Sequence, residues 1–184
     1  NLIKKSNMVV ISGSSPCDVA DDIFYEVAHI ANKFNIKAVV DTSQNALKLS
    51  LNASPFLIKP NKEETEELIG KKINNFNDMN EALDFYESKN IKFIAISMGK
   101  DGAFVRYKGK TYKAETPDIK VLNSFGSGDC MVAGFIKGII EGQSPENIIS
   151  LGMAAGTANA ARSDIAFISE KEINEFLPKI KVKL

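Results

Sequence analysis

The chain has 184 residues, 23 basic and 23 acidic side chains, and a formal net charge of zero. Its 44% apolar content excludes wholesale disorder, and its length suits one compact domain over residues 1–184 that holds a core without disulfide or metal staples. Balanced charge leaves no electrostatic footprint for nucleic acid or for an anionic membrane.

MVVISG (8–13) is a short β-branched run ending in Gly, the pattern of a buried strand. Residues 18–34 then place Val19, Ile23, Val27, Ile30 and Phe34 on one helical face, with Asp18 able to cap the start. IKAVVDT (36–42) predicts a second strand, residues 44–51 a short helix, and SPFLIKP (54–60) a third strand stopped by Pro60. NKEETEELIG (61–70) predicts a helix capped by Asn61 and ended by Gly70, with acids in its first turns. A helix over 78–89 and a buried strand over 92–99 follow. Residues 102–115 alternate around Lys108–Gly109–Lys110, as a β-hairpin does. Apolar helices are expected over 128–142 and 144–161, the second with Ser144 before Pro145, and a last one over 169–176. Continuous apolar strands alternating with helices predict an α/β fold, a mostly parallel sheet with helices on both faces, plus the hairpin.

Cys17 and Cys130 have no Cys or His companions, so neither a zinc site nor a disulfide framework is expected. His29, the only histidine, sits in an amphipathic helical pattern and reads as a surface residue without a catalytic role. No segment approaches the roughly 20 apolar residues of a membrane helix. No signal peptide is visible, and the expected location is the reducing cytoplasm.

Ligands of open parallel α/β sheets bind beyond the carboxyl ends of the strands. Five small, polar or glycine-rich loops fall there: Ser12–Ser14, Asp41–Ser43, Lys59–Asn61, Ser97–Gly99 and Asn123–Asp129. Five together predict one continuous site. The most informative is FGSGD running into an apolar helix. Glycines let backbone N–H groups converge on a ligand, and the helix start adds partial positive charge, so the loop suits a phosphoryl group. Asp129 has two readings. It caps the helix, or it is the general base that takes the proton from a phosphoryl acceptor hydroxyl. Neither a Walker A loop nor the full dinucleotide fingerprint is present, since Met131 stands where the third glycine belongs. Asn61 and Glu64, one helical turn apart, are either a cap with a surface acid or oxygen groups organising Mg²⁺. Lys59 beside them suits a phosphate. SMGKDG (97–102) is a strand and turn that also offers a hydroxyl and backbone donors.

The ordered set ISGSSP, VVDTS, FLIKPNKEE, ISMGKDGA and VLNSFGSGDCMVAGF resembles the phosphofructokinase-B branch of the ribokinase-like sugar kinases. SGSSP with DTS and IKPN is most similar to its 1-phosphofructokinase and tagatose-6-phosphate kinase subgroups. The resemblance runs from Met8 to about Ala161 and implies ATP-dependent transfer to a hydroxyl of a phosphorylated ketohexose, fructose 1-phosphate becoming fructose 1,6-bisphosphate. It implies ATP and Mg²⁺ as cofactors, with sugar phosphate and ATP as the only partners besides a homodimer contact in a full-length enzyme. By resemblance Asp129 is the base, and Gly126, Ser127 and Gly128 with the Asp129 amide form the anion hole. Ser97, Met98, Gly99, Lys100, Asp101 and Gly102 hold ATP phosphates. Asn61 and Glu64 organise Mg²⁺ through water, Asp41 and Lys59 support the phosphate end, and the hairpin and Asn159 lie around the adenine. Two positions depart mildly: the family often carries a smaller residue at Ser127 and at Phe125. Such kinases also carry first strands and a β lid before the SGS motif, whereas seven residues precede Met8 and the first is Asn1. The resemblance therefore implies a C-terminal nucleotide-binding portion, inactive alone. Alternatives are tagatose-6-phosphate kinase, another ribokinase-like small-molecule kinase, a non-catalytic nucleotide-binding module, and an unrelated doubly wound domain.

Overall fold

The computed structural model describes residues 2–15 and 20–184. Cys17, Asp18 and Val19, and with them the expected cap of the first helix, lie outside the described residues. Within the span expected to form one domain, the chain divides into two compact units, Asn1–Ser97 and Met98–Leu184. The α/β class holds.

The first unit contains four parallel strands in chain order: β1 (Met8–Ser12), β2 (Lys37–Asp41), β3 (Leu57–Ile58) and β4 (Phe93–Ser97). Helix α1 (Ile23–Lys33) joins β1 to β2, and α2 (Gln44–Ser50) joins β2 to β3. Helices α3 (Lys62–Ile69) and α4 (Phe76–Glu87) join β3 to β4. Ala38–Val40, Leu57–Ile58 and Phe93–Ile96 are all fully buried, which is why β2, β3 and β4 read as unbroken apolar runs. Strand β1 forms where expected but is not the buried strand its apolar run predicts: it pairs on one side with β2, and Val10 is 48% exposed. Strand β3 is shorter than expected. Ser54 in a left-handed conformation (φ 50°) and Pro60 bracket it, and neither favours a ladder.

Helix α1 forms within the expected span. The branched stripe read from the sequence is turned largely outward, with Ile23, Ile30 and Phe34 at 41%, 38% and 42% exposure. The buried stripe is Phe24, Ala28 and Ala31. The two stripes lie about 100° apart on the helical wheel. The small alanines let the backbone come closer to its neighbours than the branched stripe would. His29 stacks on Tyr25, with ring centroids 5.4 Å apart, consistent with its expected helix-face position.

Helix α4 starts before the expected residue 78, because Asn75 Oδ1 accepts hydrogen bonds from the amides of Asn77 and Asp78. Tyr86 of α4 is fully buried and donates to Thr65 Oγ1 at 3.3 Å. Burial pushes its phenol up to about 12.

The second unit contains the expected hairpin, β5 (Ala103–Tyr107) and β6 (Lys110–Glu115), turned by Lys108 and Gly109 at φ 51° and 72°. Two positive φ values in sequence define the primed turn that suits twisted strands. Strand β7 (Lys181–Lys183) pairs antiparallel with β6. It lacks an expectation because three residues of alternating lysine carry almost no periodic signal. Helices α5 (Ser127–Ile140), α6 (Pro145–Ala160) and α7 (Glu170–Phe176) complete the unit.

Helices α5 and α6 meet through glycines. A Cβ on Gly134 would lie 2.7 Å from Gly152 Cα and from the Leu151 carbonyl oxygen, so only glycine permits this approach. Among the described residues, no helix is long and apolar enough to cross a membrane.

Candidate active site

In the first unit, the site residues gather at the carboxyl ends of parallel strands, as the topology requires. Asp41 ends β2 and Lys59 follows β3, and the lysine Nζ lies 3.3 Å from the carboxylate. Lys59 is only 8% exposed, so the pair acts where water screens it little. The amide of Gly13 donates to the Asp41 carbonyl, and Thr42 Oγ1 donates to the Gly13 carbonyl at 2.7 Å. These bonds hold the glycine-rich loop after β1 against the end of β2.

Asn61 caps α3 and forms a reciprocal capping box. Its Oδ1 accepts from the Glu64 amide at 2.7 Å, and its own amide donates to Glu64 Oε2 at 2.8 Å. The Ser97 amide donates to the Pro60 carbonyl, and Asn61 forms a parallel bridge with Ser97. Asn61, Glu64 and Ser97 are thus brought together. The cap reading of Asn61-x-x-Glu64 is realised, and it leaves Glu64 Oε1 without a hydrogen bond among the described residues. Among those residues no group of three or more His, Cys, Asp or Glu side chains is gathered to hold a metal. One half-exposed carboxylate next to an amide fits a hydrated Mg²⁺ that takes its remaining ligands from water and phosphate.

In the second unit, Met98–Gly102 forms a tight turn. The Met98 amide donates to the Gly102 carbonyl at 2.8 Å, and the Gly102 amide donates to the Gly99 carbonyl. Residues 99–101 form one turn of 3₁₀ helix. Thr116 Oγ1 donates to the Lys100 carbonyl at 3.0 Å. The side chains of Lys100 and Asp101 are exposed.

The FGSGD loop opens α5. Gly126, at φ 75°, is the cap residue, and Asp129 is the third residue of the helix and exposed. Asp129 is therefore not the cap. The Ser127 amide donates to the Ser124 carbonyl at 3.2 Å, and the first i→i−4 bond runs from the Cys130 amide to the Gly126 carbonyl at 2.9 Å. The amides of Gly128 and Asp129 come ahead of that bond, at the positive end of the helix. Cys130 is buried, and burial followed by the adjacent Asp129 carboxylate pushes its thiol up, so it is a poor nucleophile.

Asn159 of α6 is fully buried. Its Nδ2 donates to the Phe125 carbonyl at 2.8 Å and to Ser127 Oγ at 2.9 Å, and its Oδ1 accepts from the Ala166 amide at 2.7 Å. The expectation placed it around the adenine. In the structure its hydrogen-bonding atoms face the FGSGD loop and the segment after α6. Ala166, at φ 52°, has no expectation attached to it, yet it packs on the glycine of the loop: a Cβ on Gly126 would lie 3.0 Å from Ala166 Cβ. Only the three-dimensional closure of α6 on α5 brings it there.

The first unit thus carries a capped carboxylate and the second a glycine-aspartate helix start. The pfkB carbohydrate kinase model matches residues 1–172, and the chain belongs to that family, with its ribokinase-like fold. Tagatose-6-phosphate kinase of Staphylococcus epidermidis is 32% identical over 184 residues, covering 98% of this chain and 59% of that protein. A candidate phosphofructokinase from Staphylococcus aureus superposes with a TM-score of 0.91 at 31% identity, covering 99% of this chain and 60% of its own. Escherichia coli phosphofructokinase-2, crystallised with potassium, gives a TM-score of 0.86 at 26% identity, covering 93% of this chain and 56% of its own. The chain spans 59% of the length of the curated relatives it matches.

Proposed function

We propose that this chain carries the nucleotide-binding and phosphoryl-transfer groups of an ATP-dependent sugar-phosphate kinase. The observation that supports it most is the GSGD start of α5, where a carboxylate stands beside two amides at the positive end of a long helix. The 1-phosphofructokinase-like motifs favour fructose 1-phosphate as acceptor. The 32% identity to a tagatose-6-phosphate kinase favours tagatose 6-phosphate as a second reading.

The chemistry follows from the groups present. Asp129 accepts the proton of the acceptor hydroxyl as its oxygen attacks the γ-phosphorus. The bond between the γ-phosphorus and the β,γ-bridging oxygen breaks, and ADP departs with that electron pair. The amides of Gly128 and Asp129 stabilise charge on the transferring phosphoryl group. The Met98–Gly102 turn holds the donor phosphates, and Asp41 with Lys59 supports the phosphate end. Within the first unit, Glu64, oriented by Asn61, would hold Mg²⁺ through water, an ion that supplies charge neutralisation in phosphoryl transfer.

The test is an ADP-release assay on the native-length protein with a panel of fructose 1-phosphate, tagatose 6-phosphate, fructose 6-phosphate, ribose and adenosine. Turnover with one of the first two at least about tenfold above the rest supports the reading. Equal or greater turnover with ribose or adenosine overturns the acceptor assignment. ATP binding without transfer to any member favours a non-catalytic module.

A further inference from the structure

We infer that Asn159 is a positioning residue that makes the Ser127 hydroxyl a third donor of the phosphoryl loop. This rests on the function proposed above and concerns residues at the same helix start.

The orientation of the Asn159 amide is fixed by its partners. The Ala166 amide can only donate, so it must face Oδ1, and the Phe125 carbonyl can only accept, so it must face Nδ2. Nδ2 therefore also donates to Ser127 Oγ, and the serine oxygen is the acceptor of that bond. A hydroxyl whose oxygen is held this way directs its own proton elsewhere. No acceptor for that proton exists among the described residues. Ser127 is the first residue of α5, and its main-chain amide is engaged by Ser124. The donor that Ser127 contributes to an anion is thus its hydroxyl rather than its amide.

Burial makes the arrangement costly to leave half-made. Asn159 is 0% exposed, and each of its lost bonds would strand a polar group away from water. Its acceptance from Ala166 also holds a non-glycine residue at φ 52°, a strained conformation that persists only when its surroundings impose it. The same side chain thereby locks both Phe125–Ser127 and the segment packed on Gly126.

The test is calorimetric titration of Mg–ATP and of Mg–ADP into the unmodified protein and into Ser127→Ala, Asn159→Ala, Asn159→Asp and the Ser127→Ala/Asn159→Ala pair. ADP lacks the phosphoryl group this loop would hold, so the ratio of the two affinities isolates the loop. We expect Ser127→Ala and Asn159→Ala each to lose about tenfold in ATP affinity with ADP affinity unchanged, in line with a hydrogen bond to a charged group. The pair should lose no more than either single variant, because the two substitutions remove one shared interaction. Asn159→Asp keeps the acceptor for Ala166 and loses both donors, so it should match Asn159→Ala in nucleotide preference. Equal losses for ATP and ADP, or none with Ser127→Ala, overturn the inference while leaving the kinase reading intact. Ser127→Ala removes one hydroxyl from a half-exposed site, so it keeps the question answerable even if Asn159→Ala unfolds. An unmodified protein that binds neither nucleotide overturns the kinase reading and this inference with it.

Discussion

Asp129→Asn is expected to reduce turnover of the native-length protein by about 10³-fold, the scale of a lost general base, and to leave Mg–ATP binding within about twofold. Asparagine keeps the shape of the side chain but cannot accept a proton at neutral pH. Asp129 is exposed on the first turn of α5, so the substitution opens no cavity. Losing the negative charge at the helix start costs the fold about 0.3–1 kcal/mol. Removing a like charge from the anion loop should leave nucleotide affinity equal or slightly higher. Steady-state kinetics paired with calorimetric ATP titration checks both halves. A kcat within tenfold of the unmodified protein would remove Asp129 from the role of base.

Gly102→Ala is expected to destabilise the protein by about 3 kcal/mol or more, from backbone strain and overpacking acting together. Gly102 adopts φ 87° and ψ −133°, a region open essentially to glycine alone. A Cβ there would lie 1.9 Å from the Ala114 carbonyl oxygen, which is main chain of β6 and cannot swing away. The same glycine closes the Met98–Gly102 turn through both its amide and its carbonyl. The strain therefore falls on the turn proposed to hold donor phosphates. For a chain of this size the melting temperature should fall by about 6–12 °C in differential scanning calorimetry. Gly109→Ala is the control. It also has positive φ (72°), but nothing lies within 4 Å of its added carbon, so only about 1–2 kcal/mol is expected. Equal melting shifts for the two variants would contradict the close contact at Ala114.

Much of this architecture could be read in the residues because each signal was local. Continuous apolar runs gave β1, β2 and β4. The Asn61, Ser144 and Ser169 positions gave helix starts that the structure caps with those same side chains. The Lys108–Gly109 pair gave the hairpin turn. What failed depends on distance in the chain. Which stripe of α1 turns inward is decided by the surface that receives it, and alanine signals close approach only once that surface is known. The parallel pairing of β3 covers two residues: Pro60 ends it as expected, but the left-handed Ser54 before it is not revealed by an apolar run. At the site, the glycine-aspartate loop was legible because it is contiguous. The bonds from Asn159 to Phe125, Ser127 and Ala166 link three separate segments. No spacing rule connects an asparagine inside an apolar helix to a loop more than 30 residues earlier.

The Met98–Gly102 turn and the start of α5, both in the second unit, are proposed to hold the phosphates of ATP. Calorimetric titration of ATP into the protein, with and without Mg²⁺, tests it most directly. One ATP per chain is expected, with affinity raised at least about tenfold by Mg²⁺. Binding that ignores Mg²⁺, or no ATP binding at all, would contradict it.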